Sequence, residues 1–176
     1  MADFDYIIIG AGSAGCVLAN RLSSSGKFKV LLIEAGPTDN RFWVKTPIGF
    51  GMTFHDKTIN WAYHTTPETG LGNRQLYWPR GKILGGSSSI NALVYHHGQP
   101  ADYDDWAAAG NPAWDYDAIK PVYDGFEDVI RANTQPVQKG KLTVSDVADE
   151  YHPLKSYCFA MANEMGLQSE AACQLS

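Results

Sequence analysis

The feature that most constrains this chain is a stretch of nearly bare backbone, Gly10-Ala11-Gly12-Ser13-Ala14-Gly15, set between two aliphatic runs. Residues 5–9 are continuously apolar after Asp5, which predicts a short strand buried on both faces. Residues 13–24 place Val17, Leu18 and Leu22 on one side of a helix, and Gly26 follows as its stop. Residues 29–33 repeat the aliphatic pattern and end at Glu34-Ala35-Gly36-Pro37. Strand, glycine turn, helix and strand make a βαβ unit, and a crossover of this length joins parallel strands. The expected class is α/β with a Rossmann-like start.

Each glycine of the turn answers a separate physical demand. Gly10 permits the tight bend. Gly12 lets the backbone approach a diphosphate, and Gly15 lets the helix pack close to the strand. At the helix start, Ser13 and Ala14 bring dangling N–H groups and the positive end of the helix dipole. Glu34 stands 19 residues after Gly15, where an acid accepts hydrogen bonds from an adenosine ribose and disfavours a 2′-phosphate. Together these residues predict a dinucleotide site without saying which dinucleotide.

Downstream the texture changes. Residues 38–80 are rich in aromatics, Pro and Gly and lack a sustained period, so they predict an irregular excursion that packs over something. A second Gly/Ser segment follows Ile83, and residues 90–95 are expected to open a helix. Two more helices are expected at 102–109 and 116–128. A half-buried strand is expected at 141–147, and a last helix at 153–165 stops at Gly166.

The segment Pro79-Arg80-Gly81-Lys82-Ile83-Leu84-Gly85-Gly86-Ser87-Ser88-Ser89-Ile90-Asn91 resembles the first signature of the glucose–methanol–choline oxidoreductases. The resemblance continues through Tyr95, Gly98 and Ala101-Asp102-Tyr103-Asp104-Asp105-Trp106 and spans nearly the whole chain. It implies FAD as the cofactor. Gly85, Gly86 and Ser87 would lie beside its diphosphate and flavin, as a second anion-friendly turn. Glu34 and Ala35 would lie at the adenosine, and Asn91, Ala92, Leu93 and Val94 near the flavin ring. Trp61 and Arg80 would border the cleft. Some relatives carry a histidine joined covalently to FAD at the position of Ile90; isoleucine cannot form that bond, so non-covalent FAD is implied.

The resemblance also implies oxidation of a primary alcohol to an aldehyde, by hydride transfer to the flavin. The family's catalytic histidine and its partner lie beyond the residues present, so no catalytic residue is named here. A second polypeptide is expected to supply that base and the missing strands. Two readings stay open beside it: a hydroxynitrile lyase, and an inactive flavin-binding subunit. The domain division expected is 1–135 for the FAD-binding part and 136–176 for the beginning of an α+β substrate domain, with the fold incomplete in this chain.

Other classes find no support in the residues. A net charge of −5 with scattered Lys and Arg gives no nucleic-acid footprint. Three cysteines, Cys16, Cys158 and Cys173, lack C-x-x-C spacing, which fits a reducing cytoplasm better than a disulfide framework. No metal site, targeting segment or membrane span is expected. For the His96-His97 pair a structural or surface role is expected, and His55, His64 and His152 lack the spacing of metal ligands.

Overall fold

A computed structural model describes residues 3–131, 142–146 and 152–167. Cys173, Lys141, Val147 and the expected boundary at 135/136 lie outside them. By its contacts the chain divides into two units, Met1–Val94 and Tyr95–Ser176.

The first unit opens with β1 (Tyr6–Ile9), α1 (Ser13–Ser23) and β2 (Val30–Ile33). β1 and β2 pair in parallel, Tyr6 opposite Val30 through Ile9 opposite Ile33. This is the expected βαβ unit. Burial differs from expectation, because only Ile8 of β1 is buried, while Ile7 is 61% and Ile9 86% exposed. The continuous aliphatic run is suited to cover on both faces, and a two-stranded sheet leaves part of it bare. Val17 and Leu18 of α1 are exposed as well.

The excursion is irregular, as expected. It contains two one-turn helices, α2 (Phe42–Lys45) and α3 (Phe50–Thr53), and a ribbon of β3 (Tyr63–His64) and β4 (Tyr77–Trp78) paired antiparallel. It contributes Ile59, with Val44 against it, to a small core shared with Ile83 and Ile90.

The helix expected at 90–95 is absent. A 3-10 turn occupies Gly86–Ser89 instead, and residues 92–99 have no regular structure. The cause is local competition for hydrogen bonds. The Ser88 and Ser89 hydroxyls donate to the Gly85 and Leu84 carbonyls, and the Asn91 Oδ1 accepts from the Leu93 N–H. Leu93 itself sits at φ 62°, outside any right-handed helix.

The second unit holds α4 (Pro100–Ala108), α5 (Tyr116–Phe126), β5 (Glu127–Arg131), β6 (Leu142–Asp146) and α6 (Leu154–Glu164). Gln99 and Asp102 form a reciprocal cap on α4, and Asp115 caps α5 by accepting from the Ala118 N–H at 2.8 Å. Glu127 and Asp128, expected to end α5, belong instead to β5, which pairs in parallel with β6. Pairing with a distant strand outweighs the local helical pattern there. Among the described residues, no helix is long and apolar enough to cross a membrane.

Candidate functional site

Gly10 turns the chain out of β1 at φ 94°, a conformation that favours glycine, and its N–H donates to the Ile33 carbonyl at 2.7 Å. Gly12 caps α1, and Gly15 is buried one turn later. A Cβ on Gly15 would overlap the Gly10 carbonyl and touch Ile8. The helix start is therefore pressed onto the end of β1, as the turn requires. Ser13 and Ala14 remain exposed at that start.

Glu34 leaves β2 and ties the turns together. Its Oε2 accepts from the Ala11 N–H at 2.8 Å, and its Oε1 from the Gly36 N–H at 3.0 Å. Each carboxylate oxygen keeps a further lone pair for another donor, such as a ribose hydroxyl. Ala35 beside it is exposed.

The second Gly/Ser turn lies directly against the first. The Gly85 N–H donates to the Ala11 carbonyl at 2.7 Å, and Gly12 bridges Gly85 in parallel fashion. Gly86 adopts φ 60°, and a Cβ there would stand 2.8 Å from the Gly12 Cα. Ala11 and Ile83 have no exposed surface at all. Two bends more than 70 residues apart in sequence thus form one backbone junction.

Behind this junction, two glycines that the sequence reading did not single out perform the same task. A Cβ on Gly36 would overlap the Lys82 carbonyl, and one on Gly81 would overlap that of Gly86. Ser87 also clamps the turn, its Oγ accepting from the Gly81 N–H at 3.1 Å while its hydroxyl proton remains available to donate. The only sequence signal for these positions is glycine itself, next to each motif.

The flanking residues lie on the ribbon and just past the second turn. Trp61 and Arg80 face each other across the ribbon, with the Trp61 N–H donating to the Arg80 carbonyl at 2.9 Å. Their side chains are engaged within the ribbon: Arg80 lies over Trp78, Lys82 over Trp61, and Trp61 stacks on Tyr63. Asn91, Ala92, Leu93 and Val94 run on from the second turn, all exposed. Ile90 is buried with Ile59 and Ile83.

The second unit holds a polar cluster that the sequence did not reveal. The Glu127 side chain is 7% exposed, and its Oε1 accepts from the Tyr95 hydroxyl and meets His97 Nε2 at 2.8 Å. His97 lies flat on Tyr123, whose hydroxyl pairs with that of Tyr103 at 2.8 Å. Burial, and then the hydrogen bond to Glu127, push the Tyr95 phenol well above its usual range. The Tyr103 hydroxyl and burial push Tyr123 up to about 12. His97 is therefore part of a packed cluster, and His96 is exposed. No cluster of His, Cys, Asp or Glu that could hold a metal ion occurs among the described residues.

Comparison with known proteins places this geometry among relatives. Residues 4–174 match the family model described as GMC oxidoreductase. The chain is 45% identical over 148 residues to the alcohol dehydrogenase [acceptor] of Pseudomonas putida, covering 83% of this chain and 27% of that protein. It is 47% identical over 127 residues to the oxygen-dependent choline dehydrogenase of Photobacterium profundum, covering 72% of this chain and 22% of that one. Among solved structures, pyridoxine 4-oxidase from Mesorbium loti superposes with a TM-score of 0.79 at 33% identity, over 93% of this chain and 32% of that one. The chain thus spans about a quarter to a third of the length of these relatives.

Proposed function

This chain belongs to the GMC oxidoreductase family, and from that premise we propose that it binds FAD non-covalently and serves the oxidation of a primary alcohol to an aldehyde. The observation that carries the reading is the junction of Gly12 with Gly85 and Gly86. A long dinucleotide needs backbone on two sides of its diphosphate, and side chains at either turn would stand in the way. Glycine at both turns leaves that approach open.

Within the reading each residue has a task. Gly12, Ser13, Ala14 and Gly15 offer the α1 start to the diphosphate, and Gly10 sets the angle at which α1 departs. Glu34, held by two backbone N–H groups, orders its carboxylate for the ribose hydroxyls, with Ala35 beside it. Gly85, Gly86 and Ser87 close the other side. Asn91, Ala92, Leu93 and Val94 lead away along the flavin, with Trp61 and Arg80 bordering the cleft. Ile90, buried and without a nucleophile, leaves the cofactor unattached at that position.

When bound, the flavin supplies the acceptor for the hydride that leaves the carbinol carbon. The hydroxyl proton goes to a base on a second polypeptide, which also covers the bare faces of β1 and β2. Among the described residues, His97 is engaged with Glu127 and Tyr123 and is not assigned to take that proton.

Anaerobic mixing of the purified complex with primary alcohols tests the reaction. Bleaching of the flavin's visible band is expected. A bound yellow cofactor that never bleaches means an inactive flavin-binding subunit, and cyanohydrin cleavage without bleaching means a lyase. Purification tests the assembly: a chain that melts cooperatively alone with FAD bound needs no second polypeptide.

A further inference from the structure

The second unit contains an unbroken run of readily oxidised rings that the alcohol-oxidising reading does not use. It starts on α4, where Tyr103 and Trp106 stand three residues apart and so share a helix face. Their rings meet edge to face at 5.4 Å, and Trp106 meets Trp114, between α4 and α5, at 6.1 Å. Both indoles are exposed, whereas Tyr103 is buried. Inward of Tyr103 the run crosses to α5 through the 2.8 Å bond between the Tyr103 and Tyr123 hydroxyls. Tyr123 lies against the His97 ring at 4.0 Å, and His97 meets Tyr95 at 5.6 Å. Electron tunnelling falls steeply with distance, and each of these steps is short.

The inner end supplies what a chain of rings alone lacks. Tyr95 donates its hydroxyl to Oε1 of Glu127, a nearly buried carboxylate whose described partners are that phenol and His97. A phenol that loses an electron becomes a strong acid and must release its proton at once. A carboxylate already holding the hydrogen bond is placed to take it. Burial and this hydrogen bond keep the phenol protonated in the resting protein, so its proton and electron leave together. The stacked Trp61–Tyr63 pair of the first unit is built the other way. There the Lys82 cation lies over Trp61, and a positive charge opposes the loss of an electron.

We propose that Trp106, Tyr103, Tyr123 and Tyr95 form a one-electron relay, which carries oxidising equivalents from the surface to Tyr95, with Glu127 as the proton acceptor. Its substrates are one-electron oxidants, oxygen-derived radicals such as an alkylperoxyl. The radical takes one electron from an exposed indole and leaves as the alkylperoxide anion, while the indole gives its N–H proton to water. An electron then passes from Tyr95, over the His97 ring and through Tyr123 and Tyr103, to the indole radical, which regains a proton from water. Tyr95 passes its hydroxyl proton to Glu127 and is left as a neutral phenoxyl radical. The sum is one electron moved from Tyr95 to the oxidant and one proton moved from Tyr95 to Glu127. The relay stands apart from the alcohol-oxidising reading, since every group in it belongs to the second unit.

Pulse radiolysis of the purified protein with the azidyl radical, which oxidises tryptophan in preference to tyrosine, tests it. The expected result is a tryptophanyl band that decays as a tyrosyl band rises, at a rate independent of protein concentration. Tyr95→Phe should remove most of the late tyrosyl signal. Tyr103→Phe keeps the ring without the oxidisable phenol and should slow the rise. Glu127→Gln keeps an acceptor but is a far weaker base, so the rise should slow roughly tenfold or more. A purely structural Glu127 would change stability and leave this rate alone. Trp43→Phe, in the first unit, is the control and should not move it.

Where Tyr95→Phe fails to accumulate, Trp106→Phe, at an exposed position, takes its place and should cut the tyrosyl yield. A late tyrosyl signal as large in these variants as in the wild type overturns the relay. So does a rate unmoved by both Tyr103→Phe and Glu127→Gln. Flavin bleaching by alcohols is read separately, so the failure of either reading leaves the other standing.

Discussion

Two carboxylates each gather two donors, and the donors could hardly differ more. Glu34 accepts from backbone, the Ala11 and Gly36 N–H groups. Glu127 accepts from side chains, the Tyr95 hydroxyl and the His97 ring. Around Glu34 the structure is backbone pressed on backbone, with glycine at each close approach. Around Glu127 it is ring on ring and hydroxyl on carboxylate. The first region is intolerant of any added atom, because a main chain has nowhere to move. The second depends on groups that must be present, so it is sensitive to deletion and forgiving of conservative exchange.

That contrast is broken most forcefully at the glycines. Gly15→Ala or Gly81→Ala puts a methyl into a carbonyl of the junction and should cost about 3 kcal/mol or more. Soluble yield, melting temperature and retained FAD should all fall. A Gly81→Ala protein with wild-type melting and full flavin content would show that the junction yields more than its packing suggests.

At the other carboxylate the expected order reverses with the chemistry. Glu127→Ala leaves two part-buried donors unmatched and should cost about 2 kcal/mol, whereas Glu127→Gln keeps an accepting oxygen and should cost about half as much. Urea midpoints of the two variants give the comparison. Equal losses would mean that shape rather than acceptance matters there.

Glu34→Gln sharpens the same contrast from the backbone side. An amide can accept one of the two N–H groups but sets its own NH₂ against the other. The loss should be about 1.5 kcal/mol, with FAD affinity down roughly tenfold. Titration of flavin into the apoprotein measures it, and an unchanged affinity would separate Glu34 from the nucleotide.

The smallest effect lies at alkaline pH. Tyr123 is raised from 10.0 to about 12, so the fold prefers its neutral form. That stabilisation is whole below pH 10 and is lost as pH rises through 12. Tyr103→Phe removes the first cause of the shift and should flatten this alkaline decline in the urea midpoint. A decline of unchanged steepness would assign it to burial and to the raised Tyr95 phenol rather than to the Tyr103 hydroxyl.

The same contrast explains how far the sequence could be read. Gly10, Gly12, Gly15 and Glu34 were legible because their task is local: each spacing follows from one strand, one turn and one helix. The second turn was legible only through its resemblance to a family. Its docking was not, since Gly36 and Gly81 meet partners that no periodicity connects to them. Residues 90–95 read as a helix because their composition allows one, while the serine hydroxyls and the left-handed Leu93 decide otherwise. Glu127 gave no signal, because its donors stand 30 and 32 residues away in sequence. Likewise the aliphatic run of β1 announced a buried strand, and only coordinates could show Ile7 and Ile9 bare.

Amide hydrogen exchange on the purified protein, with and without FAD, tests the shared cradle most directly. The expected result is that peptides covering residues 11–15 and 85–89 gain protection together on FAD addition, while those of the Glu127 cluster do not change. Protection confined to one turn, or appearing at neither, would contradict a diphosphate held between Gly12 and Gly86.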